Sequence, residues 1–265
     1  MVIKGSLLKM ITVLNNPVDY FLELENNRIH LNKFLGKHIK ISYLGEIRCI
    51  KCGRKTAKSF QQGYCYPCFM TAPETSECIL KPELCRAHEG ISRDMEWSKD
   101  HCLQDHFVYL AISSGLKVGV TRMSQIPTRW IDQGASKAIK LAQTPNRFIA
   151  GQIEVDLKKY FDDKTNWRNM LINKIDRETN LVEQKKRAIG LLSNDFNKYV
   201  INTDEIVDIS YPVIEYPTKV NSIDLEKNQS VEGILNGIKG QYLIFKGDDV
   251  INIRKHNGYM VELEY

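Results

Sequence analysis

Cys49, Cys52, Cys65 and Cys68 stand as two Cys-x-x-Cys pairs separated by twelve residues. Two residues between cysteines let both sulfurs face one ion while backbone amides turn toward the thiolates. Gly53 permits the tight turn that follows the first pair. Zinc takes four soft ligands in a tetrahedron at about 2.3 Å, and two such knuckles supply them. A redox pair needs no second pair beside it, so the pattern points to structural zinc. Cys78, Cys85, His88, Cys102 and His106 follow, with His101 a weaker candidate. Cys78, Cys85, His88 and Cys102 make the favoured second zinc set. A set including His106 stays open, because one helical turn from Cys102 would put both on one face. Free buried cysteines and ordinary polar histidines are the plain alternative.

The elements that must position these groups form four segments. Residues 1–47 read as a β-rich N-terminal module with strands Tyr20–Leu24, Arg28–Leu31 and Ile39–Tyr43, the first two joined by a turn at Asn26-Asn27. Residues 48–106 form the zinc-binding region. Residues 107–200 are an α/β core. Strands Phe107–Ile112 and Leu116–Thr121 flank Ser113-Ser114-Gly115, and Pro127 opens a helix with Trp130, Ile131, Ala135, Ala138, Ile139 and Leu141 behind it. Thr144-Pro145 opens the next helix, to about Phe161; Thr165 can cap another, and 180–198 gives one more. Residues 201–265 are a β-rich C-terminal module, with a hairpin at Gly247-Asp248-Asp249. The two ends echo each other faintly, as a pair of small β modules or by chance.

On the helix from Pro145, Arg147, Gly151, Glu154 and Lys158 share one face, and Phe148, Ile149, Ile153, Leu157 and Tyr160 fall mostly on the other. Glu154 is thereby expected on a polar face free to line a cleft. The plain alternative is an i, i+4 ion pair with Lys158, worth a few tenths of a kcal/mol, roughly.

Net charge is +5, concentrated before residue 169. Residues 117–168 hold ten Lys or Arg against five Asp or Glu, whereas from Asn169 onward twelve basic residues face fifteen acidic ones. That asymmetry suits a polyanion, nucleic acid first among them, or simply a solvated basic face. No apolar run is long enough to span a membrane. The start, Met1–Ile11, reads as a mature cytoplasmic beginning. All seven cysteines lie between Cys49 and Cys102, the layout of an intracellular metal protein rather than a disulfide framework.

Phe107-Val108-Tyr109 and Lys117-Val118-Gly119 look like the paired strand motifs of the GIY-YIG nuclease superfamily. Arg129-Trp130 follows where that superfamily has its arginine, Glu154 where it has its metal-binding glutamate, and Asn166 near its late asparagine. The resemblance covers about residues 107–170. It implies that Glu154 holds Mg²⁺ or Mn²⁺, that Arg129 contacts phosphate, that Tyr109 orients water, and that Lys117 acts as phosphate contact or base. Two positions depart from the pattern: Phe107 replaces a glycine, and Lys117 a tyrosine. The order of the zinc knuckles, Gln125–Ala135 and Asp163–Arg168 also resembles an uncharacterised prokaryotic family known only as a domain of unknown function.

Arg122, Gln125, Gln133, Arg147, Asn166 and Arg168, with Trp130 and Trp167, are candidate contacts to phosphates and bases. Lys239–Tyr242 and Asn252–Lys255 are a second candidate surface or plain hairpin chemistry. The expectation is an α+β protein: zinc ribbon, GIY-YIG-like core and β-rich flanks, binding DNA or RNA and cutting phosphodiesters. The competing expectations are a non-catalytic nucleic-acid-binding module and a zinc-stapled scaffold for a protein partner.

Overall fold

The computed structural model describes residues 1–265. Its strands are β1 (Val2–Ser6), β2 (Ile11–Val13), β3 (Asp19–Leu24), β4 (Asn27–His30), β5 (His38–Arg48), β6 (Lys55–Thr56), β7 (His106–Ile112), β8 (Leu116–Arg122), β9 (Lys137–Thr144), β10 (Ile206–Asp208), β11 (Asn221–Ile223), β12 (Ser230–Lys239), β13 (Tyr242–Phe245), β14 (Asp249–Asn252) and β15 (Tyr259–Glu264). The helices are α1 (Tyr66–Thr71), α2 (Met95–His101), α3 (Thr128–Asp132), α4 (Arg147–Leu157), α5 (Trp167–Leu171), α6 (Leu181–Leu191) and α7 (Leu225–Asn228). The architecture is mixed α+β. No helix is long and apolar enough to cross a membrane.

The chain divides into two compact units rather than four segments. One comprises residues 1–70, 171–173 and 209–265, the other 71–170 and 174–208. In the first, both chain ends enter one eight-stranded sheet, ordered β1-β15-β5-β12-β13-β14-β11 with β6 beside β5. The β-rich ends are therefore one structure, not two modules. The alternation of buried and half-buried residues along Tyr259–Glu264 marks a strand with one covered face. The β3–β4 turn falls at Glu25-Asn26, one residue earlier than Asn26-Asn27, with Glu25 at a φ of 53°.

In the second unit a four-stranded antiparallel sheet runs β10-β9-β7-β8. All seven residues of β7 are buried, as suits a central strand covered on both faces. Val108, Leu110, Ile112 and Val118 point to the core shared with α4 and α6, where Ile153, Leu157, Leu181 and Ala188 pack. Tyr109 pairs with Gly119 and Ala111 with Lys117, so Tyr109 and Lys117 share the other face.

Two expected helices change. The Pro127 helix stops at Asp132, and Ala138, Ile139 and Leu141 lie on β9. Pairing with β7 overrides a helical spacing that also fits a largely buried strand. Pro127 takes the cap position rather than the first helical one. The next helix starts at Arg147, capped by Asn146, whose Oδ1 accepts from Ile149 N at 3.0 Å. It ends at Leu157. Asn166, not Thr165, caps α5, accepting from Asn169 N at 3.1 Å.

Candidate functional site

The four-cysteine centre lies in the first unit. The four sulfurs of Cys49, Cys52, Cys65 and Cys68 lie within 4.8 Å of one another. Gly53 N donates to Cys49 O at 2.8 Å, closing the first knuckle, and Phe69 N to Cys65 O at 2.8 Å at the second. Burial pushes the Cys49 thiol up, but backbone N–H groups of Cys65, Cys52 and Lys51 bring it down to about 6. Amides that favour a thiolate suit a metal ligand, which must be deprotonated. The donor set fits tetrahedral zinc.

The second unit carries a different centre. The sulfurs of Cys78, Cys85 and Cys102 lie within 4.8 Å of one another, and no histidine or carboxylate joins them. Cys85 and Cys102 are buried with Ala87, and Trp97 and Phe148 pack around them. The Cys102 thiol is held well below its usual range by hydrogen bonds from Cys78 and Cys85, with Arg147 adding to the effect. His88, the favoured fourth ligand, stands outside the set: its ring stacks on Phe148 with centroids 4.4 Å apart. His101 stacks on Trp97 and its Nδ1 meets Trp97 O at 2.8 Å. His106 Nδ1 meets Gln104 O at 2.7 Å, and its buried Nε2 has no partner. Burial and Arg147 hold the His106 imidazole down to about 4, against the pull of the Gln104 carbonyl, so it is neutral near pH 7.

Beside this centre, within the same unit, a cavity of about 210 Å³ is lined by Tyr109, Arg122, Arg129, Gln133, Arg147 and Glu154 among others. Strand, short helix and long helix each contribute. Tyr109 crosses the sheet face toward β8, where a Cβ on Gly119 would stand 2.7 Å from its hydroxyl. Tyr109 Oη donates to Gln133 Oε1 at 2.8 Å, and Lys117 Nζ donates to the same oxygen at 2.7 Å and to Thr165 Oγ1 at 2.8 Å. Gln133, a lining residue, thus joins Tyr109 to Lys117, which lies behind it and does not itself line the cavity. Lys117 is 2% exposed. Burial, then the nearby Arg129, pushes its ammonium down to about 7.

Glu154 is 8% exposed. Its face of α4 is polar but not free. The turn Pro82–Leu84 lies so close that a Cβ on Gly151 would meet Glu83 N at 2.2 Å. Only a glycine allows that approach. Burial raises the Glu154 carboxyl, with Glu83 and Asp163 adding and Lys158 opposing. Lys158 Nζ lies 3.4 Å from both Glu154 and Asp163, so the i, i+4 pair exists and extends to a second carboxylate. The cavity therefore combines three arginines with a carboxylate pair that shares one lysine.

Four of the six candidate nucleic-acid contacts, Arg122, Gln125, Gln133 and Arg147, line this cavity; Asn166 and Arg168 do not. Arg168 lies over the Trp167 ring at 4.2 Å. Trp130 is buried and packs edge-on to Tyr109, a core role. In the other unit, Lys239 and Gln241 are buried, and Gln241 is fixed by Met10 N and O. That is hairpin chemistry rather than a binding surface.

A family model described as a protein of unknown function, DUF2797, matches residues 36–261. The chain belongs to that family. No curated protein and no solved structure matches it. Within this DUF2797 chain, the resemblance to a nuclease superfamily brought out Tyr109, Arg129 and Glu154 but gave no role to Glu83 or Asp163. Asp163 was visible only as part of the Asp163–Arg168 string, and Glu83 reaches the site through a turn that carries no motif.

Proposed function

We propose that this DUF2797 protein binds the phosphodiester backbone of DNA or RNA in the Tyr109–Arg129–Glu154 cavity and hydrolyses it with a divalent metal. The single observation carrying the reading is the meeting of Tyr109, Arg129, Glu154 and, through Gln133, Lys117 around one cavity. These groups are dispersed over forty-odd positions of sequence, and the order strand, strand, helix, strand, helix gathers them.

Arg129, with Arg122 and Arg147, offsets the charge that develops on the phosphoryl oxygens. Tyr109 and Gln133 orient the attacking water. Lys117 lies behind Gln133 and fixes its Oε1, and the water's proton passes to solvent. The water oxygen bonds to phosphorus, the bond to the leaving oxygen breaks, and that oxygen is protonated from solvent. Glu154 with Asp163 would hold Mg²⁺ or Mn²⁺, which supplies Lewis-acid stabilisation of the phosphate. Zinc at the four-cysteine centre is a staple for the other unit.

Labelled single- and double-stranded DNA and RNA, incubated with Mg²⁺ or Mn²⁺, test this reading. Cleavage by the wild type and its loss in Glu154→Gln support it; no cleavage of any form contradicts it. A second reading, binding without cutting, is favoured by the Lys158–Glu154 pair, which occupies the carboxylate, and by Lys117 at a tyrosine position. It predicts salt-steep binding with no product.

A further inference from the structure

We infer that the Cys78–Cys85–Cys102 set is a metal centre with an exchangeable fourth position, and that an external thiol takes that position. The inference rests on reading the three thiols as metal ligands and deepens it by naming what completes the shell.

Three observations carry it. The set is short by one donor: three sulfurs converge, and no histidine, aspartate or glutamate atom lies within 4.8 Å of them all. The nearby histidines are otherwise held, His88 against Phe148, His101 against Trp97, and His106 on Gln104 O with its ring at the other cavity. All three cysteines also line one cavity of about 350 Å³, together with Leu84, Ile91 and Trp97. A zinc site with three protein ligands and an accessible face is the arrangement of exchangeable centres, whereas structural sites close with four.

The class of ligand follows from the donors and the walls. Three thiolates make the ion a soft partner, which favours sulfur over oxygen. Pro73, Leu84, Ala87, Ile91 and Trp97 give part of the wall apolar side chains that suit a thiol on a short hydrocarbon stem, with serines and charged groups filling the rest. Arg93 and Glu77 also line the cavity, as does Arg86, which is paired with Glu89 at 2.7 Å, so the ligand is selected by the sulfur donors rather than by charge. On binding, the thiol S–H proton goes to solvent, a sulfur–metal bond forms and a coordinated water leaves, with no change in oxidation state.

Cobalt substitution of the full chain tests the inference, with a phosphine rather than a thiol as reductant. The chain should take up two Co²⁺. Titration with 2-mercaptoethanol should then shift the d–d bands and raise the sulfur-to-cobalt charge-transfer intensity, as the chain passes from seven bound thiolates (four plus three) to eight. His88→Ala, His101→Ala and His106→Ala should respond as the wild type does. Two bound cobalt ions with a spectrum indifferent to the thiol would overturn the open position. So would a response that appears only after one histidine is replaced, because that histidine would then be the fourth ligand. Uptake of a single Co²⁺ would remove the underlying metal reading as well.

Discussion

The two cysteine centres use the same atoms in opposite ways. Cys49, Cys52, Cys65 and Cys68 are held by two local turns, each fixed by its own backbone hydrogen bonds. The whole donor set lies within twenty residues, so its geometry is almost independent of the rest of its unit. Cys78, Cys85 and Cys102 come from two short 3₁₀ segments and the end of α2. Between the first two runs a loop whose Ile79, Leu80 and Pro82 line the phosphate-sized cavity, and Arg147 spans both places, donating to Cys78 O and His101 O while lining the same cavity. A metal in the first centre would tie two local turns together; one in the second would tie down a loop that is also a wall of the candidate site. A metal in the second centre would therefore bear on the shape of the cavity as well as on stability.

That contrast can be broken by substitution. Cys65→Ser should give the largest effect, since structural zinc in small sites contributes on the order of 10 kcal/mol of folding free energy. Metal analysis should show one equivalent lost, with the Cys49–Cys68 segment opened in hydrogen exchange. Survival of its protection would mean that the turns do not need the ion. Cys85→Ser should cost less, about 2–3 kcal/mol in thermal or urea unfolding. It should nonetheless reduce phosphodiester cleavage, as the Ile79–Pro82 wall loosens over Gly151. A stability loss with full activity would separate centre from cavity and defeat the comparison.

Lys117→Met sharpens the account of the cavity itself. Between pH 7 and about 10, the unfolded chain holds a proton on this lysine that the folded chain has released, so its contribution to stability rises with pH across that window. Below pH 7 both states are protonated and the cost of burying the charge is fully felt. The variant should be relatively more stable than the wild type at pH 6 than at pH 9, and its unfolding should lose the corresponding pH slope. An unchanged slope would place the lysine's proton elsewhere. The smallest expected change belongs to Arg129→Ala, which should weaken nucleic-acid binding and reduce the slope of log affinity against log salt by about one. An unaltered slope would take Arg129 off the phosphate.

How much of this was legible in sequence follows the same divide. The four-cysteine knuckles could be read directly, because spacing along the chain sets spacing around the ion when two residues form one turn. Tyr109 and Lys117 could be placed on one face because strand alternation is strict and the hairpin is short. The stretch Ala135–Leu141 misled, since Ala138, Ile139 and Leu141 fit a helical spacing as well as a strand and only pairing with β7 decides it. The fourth ligand of the second centre could not be read, because His88, His101 and His106 all have plausible spacing and their orientations depend on Phe148, Trp97 and Gln104. The crowding at Gly151 was equally hidden: a helical wheel shows the polar face but not the Pro82–Leu84 turn that covers it.

The most direct test of the cavity's chemistry is Mn²⁺ binding to the zinc-loaded protein, read from loss of the free-ion EPR signal. The wild type should bind Mn²⁺ beyond its zinc, and Glu154→Gln, folded as judged by an unchanged melting temperature, should not. Equal Mn²⁺ binding by both proteins, or none by the wild type, would contradict the assignment of Glu154 as the carboxylate that holds the metal.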